Sequence, residues 1–74
     1  MSEQAAPKFT DRPSYEEARD ELVEIVAKLE AGDSTLEESL SLWERGEHLA
    51  AVCQGWLDGA QERLDAVKGD DASA

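Results

Sequence analysis

The chain has few of the side chains that metal sites and enzyme active sites use. It contains one cysteine and one histidine. A single cysteine excludes an internal disulfide framework and a cysteine-only metal site, and a single histidine excludes paired-histidine zinc motifs. The remaining residues do not supply a set of nucleophile, base and oxyanion-stabilising groups. The sequence therefore predicts no catalytic residue, no metal site and no cofactor in this chain.

Positive charge and long apolar runs are also scarce. Seven Lys+Arg stand against eighteen Asp+Glu, which gives a formal net charge of -11. Affinity for nucleic acids depends on cations that neutralise phosphates, so we expect no direct nucleic-acid binding by the isolated chain. No apolar run approaches the roughly 18 residues of a membrane span, and residues 1–13 do not resemble a signal peptide. We expect a small acidic protein that is cytoplasmic and does not contact a membrane.

Residues 14–68 carry the signals of two helices. Ser14 with Glu17, and Thr35 with Glu38, have the spacing of a capping box, and Gly32 is placed to end the first helix. Apolar residues recur at intervals of three and four after each start, which is typical of an amphipathic helix. The connection between the helices is short, so the sequence predicts an all-α antiparallel two-helix hairpin, coiled-coil-like, with a short first and a long second helix.

The two ends of the chain lack this periodicity. Residues 1–13 contain two prolines and are predicted to form a flexible N-terminal arm, and residues 69–74 are predicted to form a disordered acidic tail. Gly55 and Gly59 lie inside the second helix, where we expect them to soften or kink it. The only histidine, His48, is predicted to lie on the solvated side of this helix.

The second helix has more apolar surface than one partner helix can cover. With Trp43 at heptad position a, large apolar residues occupy positions a and g, and small ones occupy position d. We expect the first helix to pair with the proximal half, through Leu40 and Trp43. The distal half is left over and is the predicted partner interface, formed by Val52, Cys53, Trp56, Leu57, Ala60, Leu64 and Val67. Self-association through this face is expected when the chain is alone.

The ordered set of these residues resembles the small subunit of exodeoxyribonuclease VII. The resemblance runs from Tyr15 to Leu64. Its motifs are Tyr15-Glu16-x-Ala18, Leu22-x-Glu24-Ile25-Val26-x-x-Leu29-Glu30-x-Gly32, Leu36-Glu37-Glu38-Ser39-Leu40 and Trp43-Glu44-x-Gly46, followed by Leu49, Cys53-Gln54, Leu57 and Ala60-Gln61-x-Arg63.

This resemblance implies a non-catalytic subunit of a bacterial cytoplasmic exonuclease. Such an enzyme degrades single-stranded DNA from both ends to oligonucleotides, and its nuclease centre belongs to a large subunit. The implied partner is therefore that catalytic large subunit, whose extended helical part the small subunits bind. Two other functions fit the residues without the resemblance: a general helical-hairpin adaptor, and an acidic protein that mimics DNA.

Overall fold

The computed structural model describes the backbone of residues 8–72 and the side chains of residues 8–67. Helix α1 spans Tyr15–Ala31 and helix α2 spans Leu36–Ala72. The helices are antiparallel, because the start of α1 lies beside the middle of α2 and the end of α1 leads into a short turn before α2 begins. The predicted all-helical hairpin with unequal arms is confirmed.

Both helix starts are capping boxes, as predicted. The Ser14 hydroxyl accepts from the backbone N–H of Glu17 at 3.2 Å, and the Glu17 carboxylate accepts from the backbone N–H of Ser14 at 3.3 Å. Thr35 and Glu38 repeat this exchange at 3.1 and 2.9 Å. Each box satisfies two backbone donors that have no partner within the helix. The helix starts are therefore fixed by residues three positions apart.

The first helix ends at Gly32, which has a φ of 75°. We expect Gly32→Val to lower the free energy of unfolding by about 1–2 kcal/mol, because a β-branched residue resists positive φ. Gly59→Ala is the matched control: this glycine is helical and a Cβ there meets nothing within 4 Å. The control should raise stability slightly, since alanine favours the helix. Urea unfolding would contradict this account if both variants shifted the midpoint in the same direction.

The hairpin core lies between α1 and one stripe of α2. Ala18, Ile25, Leu49 and Val52 are buried, and five partly buried residues pack against them: Leu22, Leu29, Leu42, Cys53 and Trp56. The small-residue column brings the helices together, because a Cβ added at Gly46 would lie 3.6 Å from both Ile25 and Leu22. The core therefore uses positions c, d and g of α2.

Leu40 and Trp43 do not belong to the buried core through which α1 and α2 pair, contrary to the prediction. Leu40 is 55% exposed and Trp43 is 59% exposed. The helix has two apolar stripes, and the one with Gly46 faces α1 because it allows the closer backbone approach. Trp43 is thereby turned toward solvent at the edge of the hairpin.

Helix α2 is longer than predicted and is unbroken. It continues to Ala72, four residues beyond the predicted end at Lys68, and it passes through Gly55 and Gly59 as α-helix. An internal glycine costs a helix only about 1 kcal/mol relative to alanine, so it does not by itself end one. Residues 1–7 of the predicted arm and residues 73–74 of the predicted tail lie outside the described part of the chain.

Residues 8–13 run beside α2, and we call this segment the strap. Lys8 pairs with Glu44, and the carbonyl of Pro13 accepts from the indole of Trp56. These two contacts lie 12 residues apart on α2, a rise of about 18 Å along the helix. The strap therefore covers part of α2 that α1 leaves open.

Candidate functional site

An exposed apolar row runs along α2 beside the hairpin. It consists of the residues at heptad position a, which we call the outer seam: Leu36, Trp43, Ala50, Leu57 and Leu64. The exposed fractions of its four large members are 77%, 59%, 50% and 58%. From Leu36 to Leu64 the row spans 28 residue steps, or about 42 Å of helix. A seven-residue apolar repeat of this length is typical of a surface that packs against another helix.

A shallow groove accompanies the proximal part of the outer seam. It has a volume of about 170 Å³ and lies between the two helices. Val26 and Leu29 form its α1 side, and Trp43 and Ala50 form its α2 side. Gly46 contributes no side chain to its floor. The groove therefore offers a recess into which an apolar side chain of another helix can insert.

Carboxylates surround the apolar row. Glu44, Glu47, Asp58 and Asp65 are exposed on α2, and the chain as a whole carries a net charge of -11. A partner surface that complements this region has apolar residues in its centre and lysine or arginine at its margin. The same charge opposes close approach of a phosphate backbone.

The structure divides the predicted partner interface into two groups. Leu57, Ala60, Leu64 and Val67 are exposed. The other three residues face the hairpin. Val52 is 9% exposed, and Cys53 and Trp56 pack partly buried against the core.

Val52 therefore belongs to the hairpin rather than to an outer surface. The sequence predicts that Val52 lies beyond the part of α2 that α1 covers, because helix length is the only guide to that coverage in the sequence. The contacts of α1 and the strap extend the covered part of α2 as far as Trp56.

Arg45 joins the strap, α1 and α2 at one point. Its guanidinium donates two bonds to the Asp11 carboxylate, at 2.9 and 3.0 Å, and two to the Glu21 carboxylate, at 2.8 and 3.0 Å. Fork-shaped pairing of this kind is stronger and more directional than a single contact. The sequence alone gives no sign of this role of Arg45, because its partners lie 24 and 34 positions away.

Aromatic contacts complete the attachment of the strap. The Arg12 guanidinium lies 3.9 Å from the centre of a Trp56 ring, and the Trp56 indole N–H donates to the Pro13 carbonyl at 2.9 Å. The Phe9 ring lies beside His48, with 5.7 Å between ring centres. Phe9, the one aromatic residue of the arm, is the signal in the sequence that predicts a loose docking of this segment.

The prediction that His48 is solvated is wrong. Its side chain is 19% exposed, and its Nε2 lies 2.6 Å from the Asp11 carbonyl oxygen. The strap covers the side of α2 on which His48 lies. This flank is separated from the outer seam by the stripe that contacts α1.

Arg45 changes the acidity of both carboxylates that it binds. Hydrogen bonding to Arg45 lowers the pKa of Asp11 and of Glu21, with the nearby positive charge acting in the same direction. The pKa of Arg45 is raised in turn, chiefly by its hydrogen bonds to Glu21 and then Asp11. The folded state therefore favours the ionised form of both acids more than the unfolded chain does.

These pKa shifts predict how the effect of Arg45→Gln depends on pH. A carboxylate whose pKa is lowered by folding stabilises the fold above its unfolded pKa and loses that contribution as pH falls through the folded value. We therefore expect Arg45→Gln to be destabilising at pH 7. The difference from the unmodified chain should shrink as pH falls below the ordinary values of 4.5 for Glu21 and 3.8 for Asp11.

Thermal unfolding of both chains between pH 7 and pH 3 measures this difference. Comparing the two chains at each pH removes the general effect of neutralising an acidic surface, since both share it. A difference that stayed constant across this range would contradict the assigned role of Arg45.

Comparison with known proteins identifies the family. Residues 15–66 match the family model described as the exonuclease VII small subunit. The chain belongs to this family. The match covers α1, the turn and α2 as far as residue 66, so it includes the outer seam but not the strap.

Relatives named exodeoxyribonuclease 7 small subunit share most of the sequence. One from Streptomyces avermitilis is 63% identical over 60 residues, which cover 81% of this chain and 75% of the relative. One from Acidothermus cellulolyticus is 62% identical over 63 residues, covering 85% of this chain and 66% of the relative. One from Streptomyces coelicolor is 66% identical over 58 residues, covering 78% and 66%. No solved structure matches the chain.

Membership of this family implies a large-subunit partner. A small subunit has a larger partner by definition, and the outer seam is an apolar surface that the hairpin leaves open. Within residues 8–72, neither helix combines the length and the apolar character that crossing a bilayer requires.

Proposed function

We propose that the chain is the non-catalytic small subunit of a bacterial exonuclease VII and that it binds the catalytic large subunit. The supporting observation is the outer seam, whose large side chains are half or more exposed. They lie along α2, which extends well beyond the end of α1. Apolar surface of this kind gains free energy when another chain covers it. The family name supplies the identity of that chain.

The proposed interface combines the outer seam with the neighbouring exposed positions Ala60 and Val67. Of the residues predicted from sequence, Leu57, Ala60, Leu64 and Val67 remain in it as exposed residues. Cys53 and Trp56 contribute only their outer edges, and Val52 stays inside the hairpin. The large subunit would contact this row with a helix that carries apolar residues flanked by basic ones.

The chemistry of DNA degradation belongs to the large subunit in this proposal. The complex degrades single-stranded DNA from both ends to oligonucleotides in the cytoplasm. The small subunit supports the large subunit by packing along the helices of the large subunit. Because the small subunit is acidic, it repels DNA, and the DNA binds in a basic groove of the large subunit. When the large subunit is absent, the outer seam promotes self-association of the small subunit.

Co-expression with the large subunit of the same host tests this function. The two chains should co-purify, and light scattering should give a mass above that of either chain alone. The complex should cleave labelled single-stranded DNA, and the isolated small subunit should not, with or without Mg²⁺.

Two results would overturn the proposal. One is failure of the two chains to associate at micromolar concentration. The other is nuclease activity that co-elutes with the isolated small subunit and disappears after a point mutation in it.

A further inference from the structure

The groove between the two helices is lined by side chains from both arms of the hairpin. Val26 and Leu29 form its α1 wall, and Trp43 and Ala50 form its α2 wall. Val26 is 44% exposed and Trp43 is 59% exposed, so both walls are open to another chain. Trp43 and Ala50 also belong to the outer seam, so the groove and the seam form one continuous surface. A helix that packs along the proximal part of the seam therefore passes beside α1.

The groove is apolar and has room for one large side chain. Its volume is about 170 Å³. An apolar cavity of about 150 Å³ in another protein accepts a group the size of benzene. Among the described residues that line the groove, Glu47 is the only charged one. The group that fits is therefore an uncharged apolar side chain such as leucine, methionine or phenylalanine.

Gly46 keeps the floor of the groove open. A Cβ at this position would lie 3.6 Å from side-chain atoms of Leu22 and Ile25, which is an ordinary packing distance. The packing of α2 against α1 therefore tolerates alanine, and alanine also favours a helix over glycine. The added methyl group would, however, take up space at the floor of the groove, which Leu22, Ile25 and Gly46 all line.

The margins of the groove are acidic on both helices. Glu47 lies on the α2 side. Glu30 follows Val26 by one helical turn on α1 and is exposed. Lysine or arginine on a partner would pair with these carboxylates. A second copy of this chain, with its own net charge of -11, complements the groove less well than a basic helix does, because it brings charge of the same sign.

We propose that this groove receives one apolar side chain from a helix of the large subunit, and that lysine or arginine on that helix pairs with Glu47 and Glu30. Insertion above Gly46 fixes the position of the partner helix along the outer seam, since a seven-residue repeat alone permits shifts of seven residues. The α1 helix thereby belongs to the interface through Val26. The identity of the partner rests on the function proposed above, whereas a role for α1 does not follow from it.

Two substitutions on α1 test the groove in the complex of the full-length chains. Val26→Glu places a charge on the groove wall. Val23→Glu is the matched control, because it is the same change on the same helix at a residue that is 56% exposed and does not line the groove. Titration calorimetry with the purified large subunit should show roughly ten- to a hundred-fold weaker binding for Val26→Glu. Binding of Val23→Glu should be nearly unchanged, and circular dichroism should show that both variants remain helical.

Gly46→Ala separates binding from folding. We expect the complex to weaken about ten-fold, because the methyl group fills part of the space that the inserted side chain needs. The thermal midpoint of the isolated chain should stay the same or rise, since alanine favours the helix. A glycine that only supported the hairpin would change stability and binding in the same direction.

The charged margin has its own measurement. Glu47→Gln should weaken the complex a few-fold at low salt, and this difference should disappear at about 0.5 M NaCl because salt screens exposed ion pairs. A difference that persisted at high salt would contradict the proposed pairing of Glu47 with a basic side chain.

The remaining outcomes that would overturn the proposal all assume that the unmodified chains associate. Val26→Glu that bound like the unmodified chain would show that α1 lies outside the interface. Equal weakening by Val26→Glu and Val23→Glu, or unchanged binding of Gly46→Ala, would show that no side chain enters the groove. Loss of self-association in Val26→Glu, with unchanged binding to the large subunit, would assign the groove to a second copy.

Failure of the function proposed above gives a different result. In that case the unmodified chains do not associate at all, and the choice of partner for the groove is wrong as well. If they associate and the double variant Leu57→Glu, Leu64→Glu weakens the complex while Val26→Glu does not, the proposed function stands and only the role of the groove is overturned.

Discussion

Leu49→Ala is expected to lower the free energy of unfolding by about 3 kcal/mol. Leu49 is 0% exposed and is the largest fully buried side chain of the hairpin. Replacing a buried leucine by alanine removes favourable burial and leaves a cavity, which together cost roughly 2.7–5 kcal/mol. A chain of this size has only about 3–5 kcal/mol of stability from its core. The variant should therefore be largely unfolded at 37 °C, with a reduced helical signal by circular dichroism.

Leu64→Ala is the matched control for this prediction. It is the same substitution on the same helix, but Leu64 is 58% exposed in the isolated chain. At a concentration where light scattering gives the mass of a single chain, the control should change the midpoint of urea unfolding little. Equal losses from the two variants under these conditions would contradict the single-hairpin core.

The second large effect concerns assembly with the large subunit. Leu57→Glu combined with Leu64→Glu places two charges in the outer seam while leaving the hairpin core untouched. Burial of one large apolar side chain contributes about 1.5–3 kcal/mol. Each substitution should therefore weaken the complex by roughly ten- to a hundred-fold. Titration calorimetry or sedimentation with the purified large subunit measures this change, and circular dichroism checks that the hairpin remains helical.

Charge alone is controlled by Gln54→Glu combined with Gln61→Glu. These exposed residues lie on the same helix, and the pair adds the same two negative charges without removing apolar surface. It should weaken assembly much less than the leucine pair. Equal weakening by both pairs would show that electrostatic repulsion, and not apolar burial, governs the interface. Trp56→Glu is unsuitable for this test, because loss of the indole also removes a strap contact.

The helices of this protein could be predicted because their limits depend on neighbouring residues. The capping residues act on backbone groups within a few positions, so the sequence alone predicts their roles. They are Ser14, Thr35 and Gly32. The spacing of the apolar residues gave the two amphipathic helices and the short turn gave their antiparallel arrangement. The end of α2 was less predictable, since Gly69 weakens a helix without stopping it.

The candidate interface was predicted only in part. The distal residues Leu57, Leu64 and Val67 are exposed as expected, because α1 is too short to reach them. Trp43 was placed in the core and is at the surface instead. The sequence shows two apolar stripes on α2, and periodicity does not say which of them α1 covers.

The sequence by itself determined the helices, the acidic surface, the scarcity of side chains used in active sites and metal sites, and the family. Each of these depends on composition or on the order of neighbouring residues. Tertiary structure alone decided that Gly46 faces α1, because only the packed backbones show which stripe permits close approach. It also decided that residues 8–13 lie on α2. That docking depends on Arg45, Trp56 and their partners 24 to 43 positions away, and such pairs leave no periodic signal in the chain.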